Sequence, residues 1–355
     1  MKILYAVQAT GNGHVSRAME LLPHLQQIGT VDIFLSGDNS HLTMDAPVKY
    51  RSKGVSLYFN STGGLDYWKI LRGFHPLSLR KEINELPVEK YDLIINDFEF
   101  ITAAACGRKK IPSVQLGHQA SFQSKHTPKP ANKSAIGEWI LKNYAKATHY
   151  IGLHFDQYDD FILPPVIKKE ILDAAPVDKG HITVYLPAYA EHQLEKIFRP
   201  FCNIQFHLFS KETKRATRKG NINFLPVNKT LFNKSLIECH GIITGAGFET
   251  PAEALYLGKK MICIPTRGQY EQLCNAAALE RLGVTCLKKI DTCFPVLFHQ
   301  WLKKDNSLQT NYGHTIPNLI DRLMITCRSM KNSVINEYPV WQPEIPSPES
   351  LLTQY

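Results

Sequence analysis

Several patterns that announce a function outright are missing from these 355 residues. No run approaches the ~18 to 20 apolar residues that span a bilayer. The eight cysteines (Cys106, Cys202, Cys239, Cys263, Cys274, Cys286, Cys293 and Cys327) form no C-x-x-C pair. That speaks against a zinc ribbon or a disulfide scaffold and reads as buried, reduced thiols. There is no H-E-x-x-H and no paired Cys/His spacing, so metal chemistry lacks support. No D-x-D is present to hold a divalent ion on a diphosphate. Internal repeats and nucleic-acid signatures are absent too. The apolar opening Lys2–Val7 runs straight into Gly11-Asn12-Gly13-His14 without a small-residue cleavage site, so it reads as a buried strand of a cytoplasmic protein.

What is present is ordinary for a folded protein: 44% hydrophobic and 21% charged residues, with 41 basic against 32 acidic, or +9. The length exceeds what one core usually supports, so two domains are expected. The densest basic stretch, Lys211–Lys219, reads as a solvated loop or helix face, with a peripheral contact to an anionic membrane surface as the second reading.

Short apolar runs alternate with amphipathic stretches. Strands are expected at 2–8, 31–36, 55–59, 93–96, 113–116 and 149–153, and helices at 16–28, 100–109 and 136–144. This rhythm predicts a doubly wound parallel sheet covered on both faces. Residues 121–133, rich in Ser, Lys, Pro and His, break it as a long loop of the kind that often binds ligands. Leu163-Pro164-Pro165 suits a linker. Beyond it the alternation restarts, with strands expected at 181–186, 204–209, 222–224, 241–243 and 260–264. The expected organisation is an N-terminal domain over 1–163, a C-terminal domain over 164–335, and a tail over 336–355 that packs on the surface.

Three places carry chemistry. Gly11 and Gly13 sit in a strand-to-helix turn, where glycine lets a ligand approach the backbone and the helix start offers free N–H groups. Ser16 stands where a dinucleotide fingerprint needs glycine. His14, in the same turn, is placed where doubly wound sheets bind ligands and titrates near neutrality. Asp97 and Glu99 follow the strand at 93–96; either could bind an acceptor hydroxyl, orient an imidazole, or cap the next helix. His118 and Gln119 lie on the same expected rim. The strongest region spans 241–283. There Gly245-Ala246-Gly247 forms a diphosphate cradle at a helix start, Glu253 faces the pocket within reach of a vicinal diol, and Glu271 and Gln272 offer directional groups to sugar hydroxyls.

The order G-A-G-x-x-x-x-x-E, strand, Pro, E-Q-x-x-N-A resembles the donor-site signature of GT-B glycosyltransferases. It is closest to the group of the bacterial lipid II N-acetylglucosaminyltransferase and the glucosyl- and glucuronosyltransferases. G-N-G-H-x-x-R-A, with Arg17 and Ala18, resembles that group's acceptor loop, and N-D-F-E with G-N-G-H resembles a prokaryotic subfamily of nucleotide-sugar transferases. The resemblance implies two Rossmann-like domains facing a cleft and an inverting, metal-independent single displacement that needs no cofactor. Gly245, Ala246 and Gly247 would hold the diphosphate, Glu253 the ribose, Glu271 and Gln272 the sugar, and Val227 the base through main-chain groups. His14 would be the general base and Asp97 its partner. The implied partners are a nucleotide-sugar donor, with uridine diphosphate the expected carrier, and an acceptor in cell-envelope glycoconjugate, glycolipid or polysaccharide synthesis; nucleic acid is not among them. Two departures stand out: Leu186-Pro187-Ala188-Tyr189 replaces a glycine-serine loop, and Glu271 replaces a common aspartate. A nucleotide-sugar epimerase of the same fold and a non-catalytic binder are the rival readings.

Overall fold

The computed structural model describes residues 1–9, 12–37, 44, 46–53, 76–304 and 308–332. Gly11, the strand expected at 55–59 and the expected tail lie outside them. Among the described residues no helix is long and apolar enough to cross a membrane.

The first sheet contains β1 (Lys2–Gln8), β2 (Thr30–Ser36), β3 (Val48–Ser52), β4 (Leu93–Asp97), β5 (Val114–Gly117), β6 (His149–Leu153) and β7 (Ile162–Leu163), in the order β3-β2-β1-β4-β5-β6-β7. All its pairings are parallel. The second contains β8 (Ile182–Tyr185), β9 (Phe206–Ser210), β10 (Thr217–Lys219), β11 (Ile222–Pro226), β12 (Gly241–Thr244), β13 (Lys260–Cys263) and β14 (Thr285–Cys286), in the order β10-β11-β9-β8-β12-β13-β14. Only β10 runs antiparallel. The helices are α1 (Asn12–Ile28), α2 (Pro76–Glu85), α3 (Phe100–Lys109), α4 (Ala135–Asn143), α5 (Lys169–Leu172), α6 (Glu191–Phe198), α7 (Lys229–Glu238), α8 (Glu249–Tyr256), α9 (Tyr270–Arg281), α10 (Phe294–Lys303) and α11 (Thr315–Asn332).

The central strands form because they are apolar on both faces. β4 is buried at every position, and β1 at all but its first. α1 packs on its sheet through Val15, Ala18, Leu21, Leu22 and Leu25. It starts at Asn12, earlier than the expected Ser16, because the Gly-rich turn runs directly into it, and so Gly13 and His14 occupy its first turn. In both sheets the chain winds outward from one strand and then returns to build on the other side. The reversal lies between β1 and β4 in the first sheet and between β8 and β12 in the second. Ligand crevices open at the carboxyl ends of such strands.

Three expectations change. The basic stretch 211–219 is neither wholly loop nor helix face, since its last three residues form the exposed edge strand β10. The polar segment 121–133 begins inside a buried 3₁₀ turn, Gln119–Gln123, and buries Ser121, Phe122, Ser124 and Thr127. The last helix does not stay with the second sheet. α11 buries Leu319, Leu323, Cys327 and Met330 in the core that also holds Ile3, Leu93 and Ile151. It also contacts α1, β6 and β7, so residues 315–332 return to the first domain.

Candidate active site

β1 and β4 deliver the first half of the site. Asp97 closes β4 and is fully buried. Directly after it Phe98 adopts φ +57, a conformation unfavourable for a bulky side chain, which turns the chain sharply into α3. Glu99 then caps α3, accepting from the N–H groups of Ile101 at 2.8 Å and Thr102 at 2.6 Å. Of the readings open to this carboxylate, capping is the one its two oxygens perform.

The Asp97 carboxylate faces α1. His14 Nδ1 lies 2.7 Å from its Oδ1. One helical turn on, Arg17 donates Nε to Oδ2 at 3.0 Å and Nη2 to Oδ1 at 2.7 Å. Burial alone would raise the Asp97 carboxyl, but the Arg17 guanidinium and His14 outweigh it and hold it below its ordinary value. The short contact to a charged carboxylate assigns the proton to Nδ1 of His14, so the neutral imidazole presents Nε2 as an acceptor. His14 keeps 14% of its side chain exposed. Gly117, at φ +144 at the end of β5, completes the floor: a Cβ there would lie 2.9 Å from Asp97 Oδ1.

β12 delivers the second half. It ends in Thr244-Gly245-Ala246-Gly247, and α8 follows with no side chain capping its first N–H groups. Such a turn is an anion site in waiting. Its first helical residue, Glu249, reaches across to the first domain and accepts from Nη1 of Arg17. Burial pushes the Glu249 carboxyl up to about 7 against the pull of Arg17. Gly13, expected to admit a ligand, instead admits this side chain, since a Cβ there would lie 3.1 Å from Glu249 Cγ.

The remaining expected residues sit around this junction. His118 is buried, stacked on Phe248 at 4.0 Å, with Nε2 2.7 Å from Asn275 Oδ1 and Nδ1 3.0 Å from the Leu153 carbonyl. Burial lowers its pKa, with Glu271 opposing. Gln119 donates to Glu271 at 3.1 Å. Gln272 accepts from the Thr266 N–H at 2.8 Å and donates to Gln269 at 2.6 Å, fixing the loop after β13. Glu253 is 1% exposed; Lys168 binds its Oε1 at 2.8 Å, while Oε2 has no partner. Val227 lies exposed between β11 and α7. His118 and Gln119 of the first domain and Asn275 and Glu271 of the second are therefore in contact across the cleft.

Four residues of this site received no role from the sequence. Arg17 and Asn275 stood inside quoted motifs, and the three-residue step from His14 to Arg17 already put both on one helix face. Asn275 donates to the Ala246 carbonyl at 3.0 Å while holding His118, so it ties the Gly-rich turn to the opposite domain. Glu249 and Lys168 left no local signal, since their partners are 232 and 85 residues away in sequence. Among the described residues no group of three His, Cys, Asp or Glu side chains could hold a metal ion.

Known proteins share this fold. An uncharacterized glycosyltransferase of Methanosarcina acetivorans is 21% identical, over 80% of this chain and 84% of its own. Among solved structures, UGT89C1 of Arabidopsis thaliana, determined with UDP, aligns with a TM-score of 0.58 and 10% identity over 93% of this chain and 99% of its own. MurG of Acinetobacter baumannii aligns at 0.56 and 16% over 91% and 99%. The fold in common is the two-domain GT-B architecture. The sequence pattern of glycosyl transferase family 1 matches residues 1–303, and on that span the chain belongs to this family of glycosyltransferases.

Proposed function

We propose that the protein transfers a sugar from a nucleoside diphosphate, with uridine diphosphate the expected carrier, to an acceptor hydroxyl with inversion and without a metal. The observation that carries this reading is the His14–Asp97 pair at 2.7 Å, set beside the uncapped Gly-rich helix start of the other domain. The acceptor O–H would give its proton to Nε2 of His14 as its oxygen bonds the anomeric carbon. The bond from that carbon to the diphosphate breaks at the same time, and its electron pair leaves on the phosphate oxygen. Asp97 would hold the ring in the right tautomer and stabilise the imidazolium. Backbone N–H groups at Gly245, Ala246 and Gly247 would take the departing charge, which suits a site without a cation.

On the donor side, the unpartnered Oε2 of Glu253 is the atom left for a ribose hydroxyl, Val227 lies where main-chain groups would hold the base, and Glu271 and Gln272 are the sugar contacts. A cell-envelope acceptor met at an anionic membrane face belongs to the same reading, with the exposed Lys211, Lys214 and Arg215 as the contact.

The test is turnover of a UDP-sugar panel by wild type and His14→Ala. The expected result is a loss of at least about 10²-fold in kcat with the donor Kd held within about threefold. Raised donor Kd with intact saturated turnover would make His14 a phosphate ligand instead. Interconversion of two UDP-sugars without any acceptor would make the enzyme an epimerase. EDTA is expected to leave the rate unchanged.

A further inference from the structure

The Arg17 guanidinium is 2% exposed and lies between two carboxylates from different domains, Asp97 behind it and Glu249 in front. Its Nη2 is also 3.1 Å from Nδ1 of His14. We infer that Arg17 is a positioning residue for the base, and that Glu249 anchors it to the donor domain, so that His14 is tuned by whether the two domains are together. The inference rests on the reading of His14 as the base.

The physical case is one of shared charge. Asp97 has two customers, the imidazole and the guanidinium. A cation bound to it in two-pronged fashion weakens its hold on the proton of His14. A second carboxylate on the far side of Arg17 draws part of that positive charge away and returns Asp97 to the imidazole. Glu249 is the first residue of α8, beside the Gly-rich turn, so any movement of that turn relative to α1 changes this division. Gly13 permits the approach, because a side chain there would press on Glu249. The other titratable groups facing the cluster are Tyr5 from β1, Glu253 farther along α8 with Lys168 beyond it, and His118 with Glu271 on the neighbouring rim.

The experiment is a pH titration of the histidine ring carbons by NMR in the full-length, ligand-free protein, with His14→Ala identifying the resonance. Glu249→Gln should lower the midpoint of the His14 ring titration by about half a pH unit, and Glu249→Asp should stay near wild type. Arg17→Gln should move the midpoint up by about one pH unit or more. Glu249→Gln carries the test alone if Arg17→Gln does not fold. An unchanged curve in Glu249→Gln would overturn the link to the donor domain, and an unmoved midpoint in Arg17→Gln would overturn the positioning role. Both readouts are independent of turnover: if His14→Ala kept full kcat, the base reading would fail while the titration still reported the link.

Discussion

A carboxylate that is 1% exposed needs a cation, and Glu253 has one in Lys168, 2.8 Å away with 15% of its side chain exposed. Truncating one partner of a buried pair leaves the other uncompensated, which costs about 3 kcal/mol. Glu253→Ala should therefore lower the unfolding free energy by about that amount in urea denaturation. Lys168→Met/Glu253→Met should recover most of it, and recovery below a third would show that the pair is not the cause. Donor affinity is better read from Glu253→Gln, which keeps the shape. A second residue-scale case lies far from the cleft, where His181 and His207 stack at 3.8 Å around Ser235. Burial lowers both, His207 to about 4 with His181 adding to the effect. In the unfolded chain they titrate near ~6.5, so between there and about 4 the unfolded state binds more protons. Stability should be fully present above ~6.5 and fall as pH drops toward 4. Denaturation midpoints at pH 7 and 5 should differ less in His207→Asn than in wild type; an equal drop would exclude the pair. At this scale the sequence pointed to His14 and Asp97 because each stands at a strand end or helix start, and to Glu253 because it follows the Gly-rich turn by six residues. It was silent on Glu249 and Lys168 because ion pairing over long sequence separation has no local signature.

At the scale of elements, the cap of α3 makes a direct prediction. Glu99 satisfies two helix-start N–H groups with one side chain. Glu99→Ala should cost about 1 to 2 kcal/mol by thermal or urea unfolding, and an unchanged midpoint would show that solvent replaces the cap. Legibility divides along one line here. β1 and β6 run over the residues their apolar pattern predicts, and β2, β4, β5, β8, β9, β11, β12 and β13 lie within two residues of it. The four strands without a matching expectation are β3, β7, β10 and β14, which are the outermost strands of the two sheets. Val48–Ser52 alternates half-buried with exposed positions, and Thr217–Lys219 is exposed throughout. β3 and β10 bury little, and β7 and β14 are only two residues long, so hydrophobic patterning does not reveal these edge strands.

Across the whole molecule, the two sheets are joined by more than the linker at 164–165. Tyr312 donates to the Phe155 carbonyl at 2.7 Å, Arg322 to the Asp160 carbonyl at 2.9 Å, and α11 lies on the first sheet. Removing residues 315–355 should therefore damage the first domain, exposing the surface that Leu319, Leu323, Cys327 and Met330 cover. Each lost large apolar side chain costs about 1.5 to 3 kcal/mol, more together than a typical domain can spare. The truncated chain is expected to aggregate or to give a molten circular dichroism signal, and a cooperative, native-like melt would refute that. The return of the chain was not legible because α11 is an ordinary amphipathic helix, and nothing in its stripe says which sheet it will cover.

That return also fixes what a ruler attached to this protein can measure. Cys327 Sγ lies 3.7 Å from Met1 Sδ, so positions 1 and 327 ride on the same body although nearly the whole chain separates them. Fluorophores on the exposed Met1 and on the exposed Arg328 beside Cys327 would keep a constant separation whatever the opening of the cleft. A dye on the exposed Cys202 of the second domain, paired with one near residue 1, would register the swing directly. Because the chain passes between the domains twice, once before and once after the second sheet in sequence, the joint has two strands rather than one. Such a joint bends more readily than it twists, and the distance trace should show one dominant hinge coordinate.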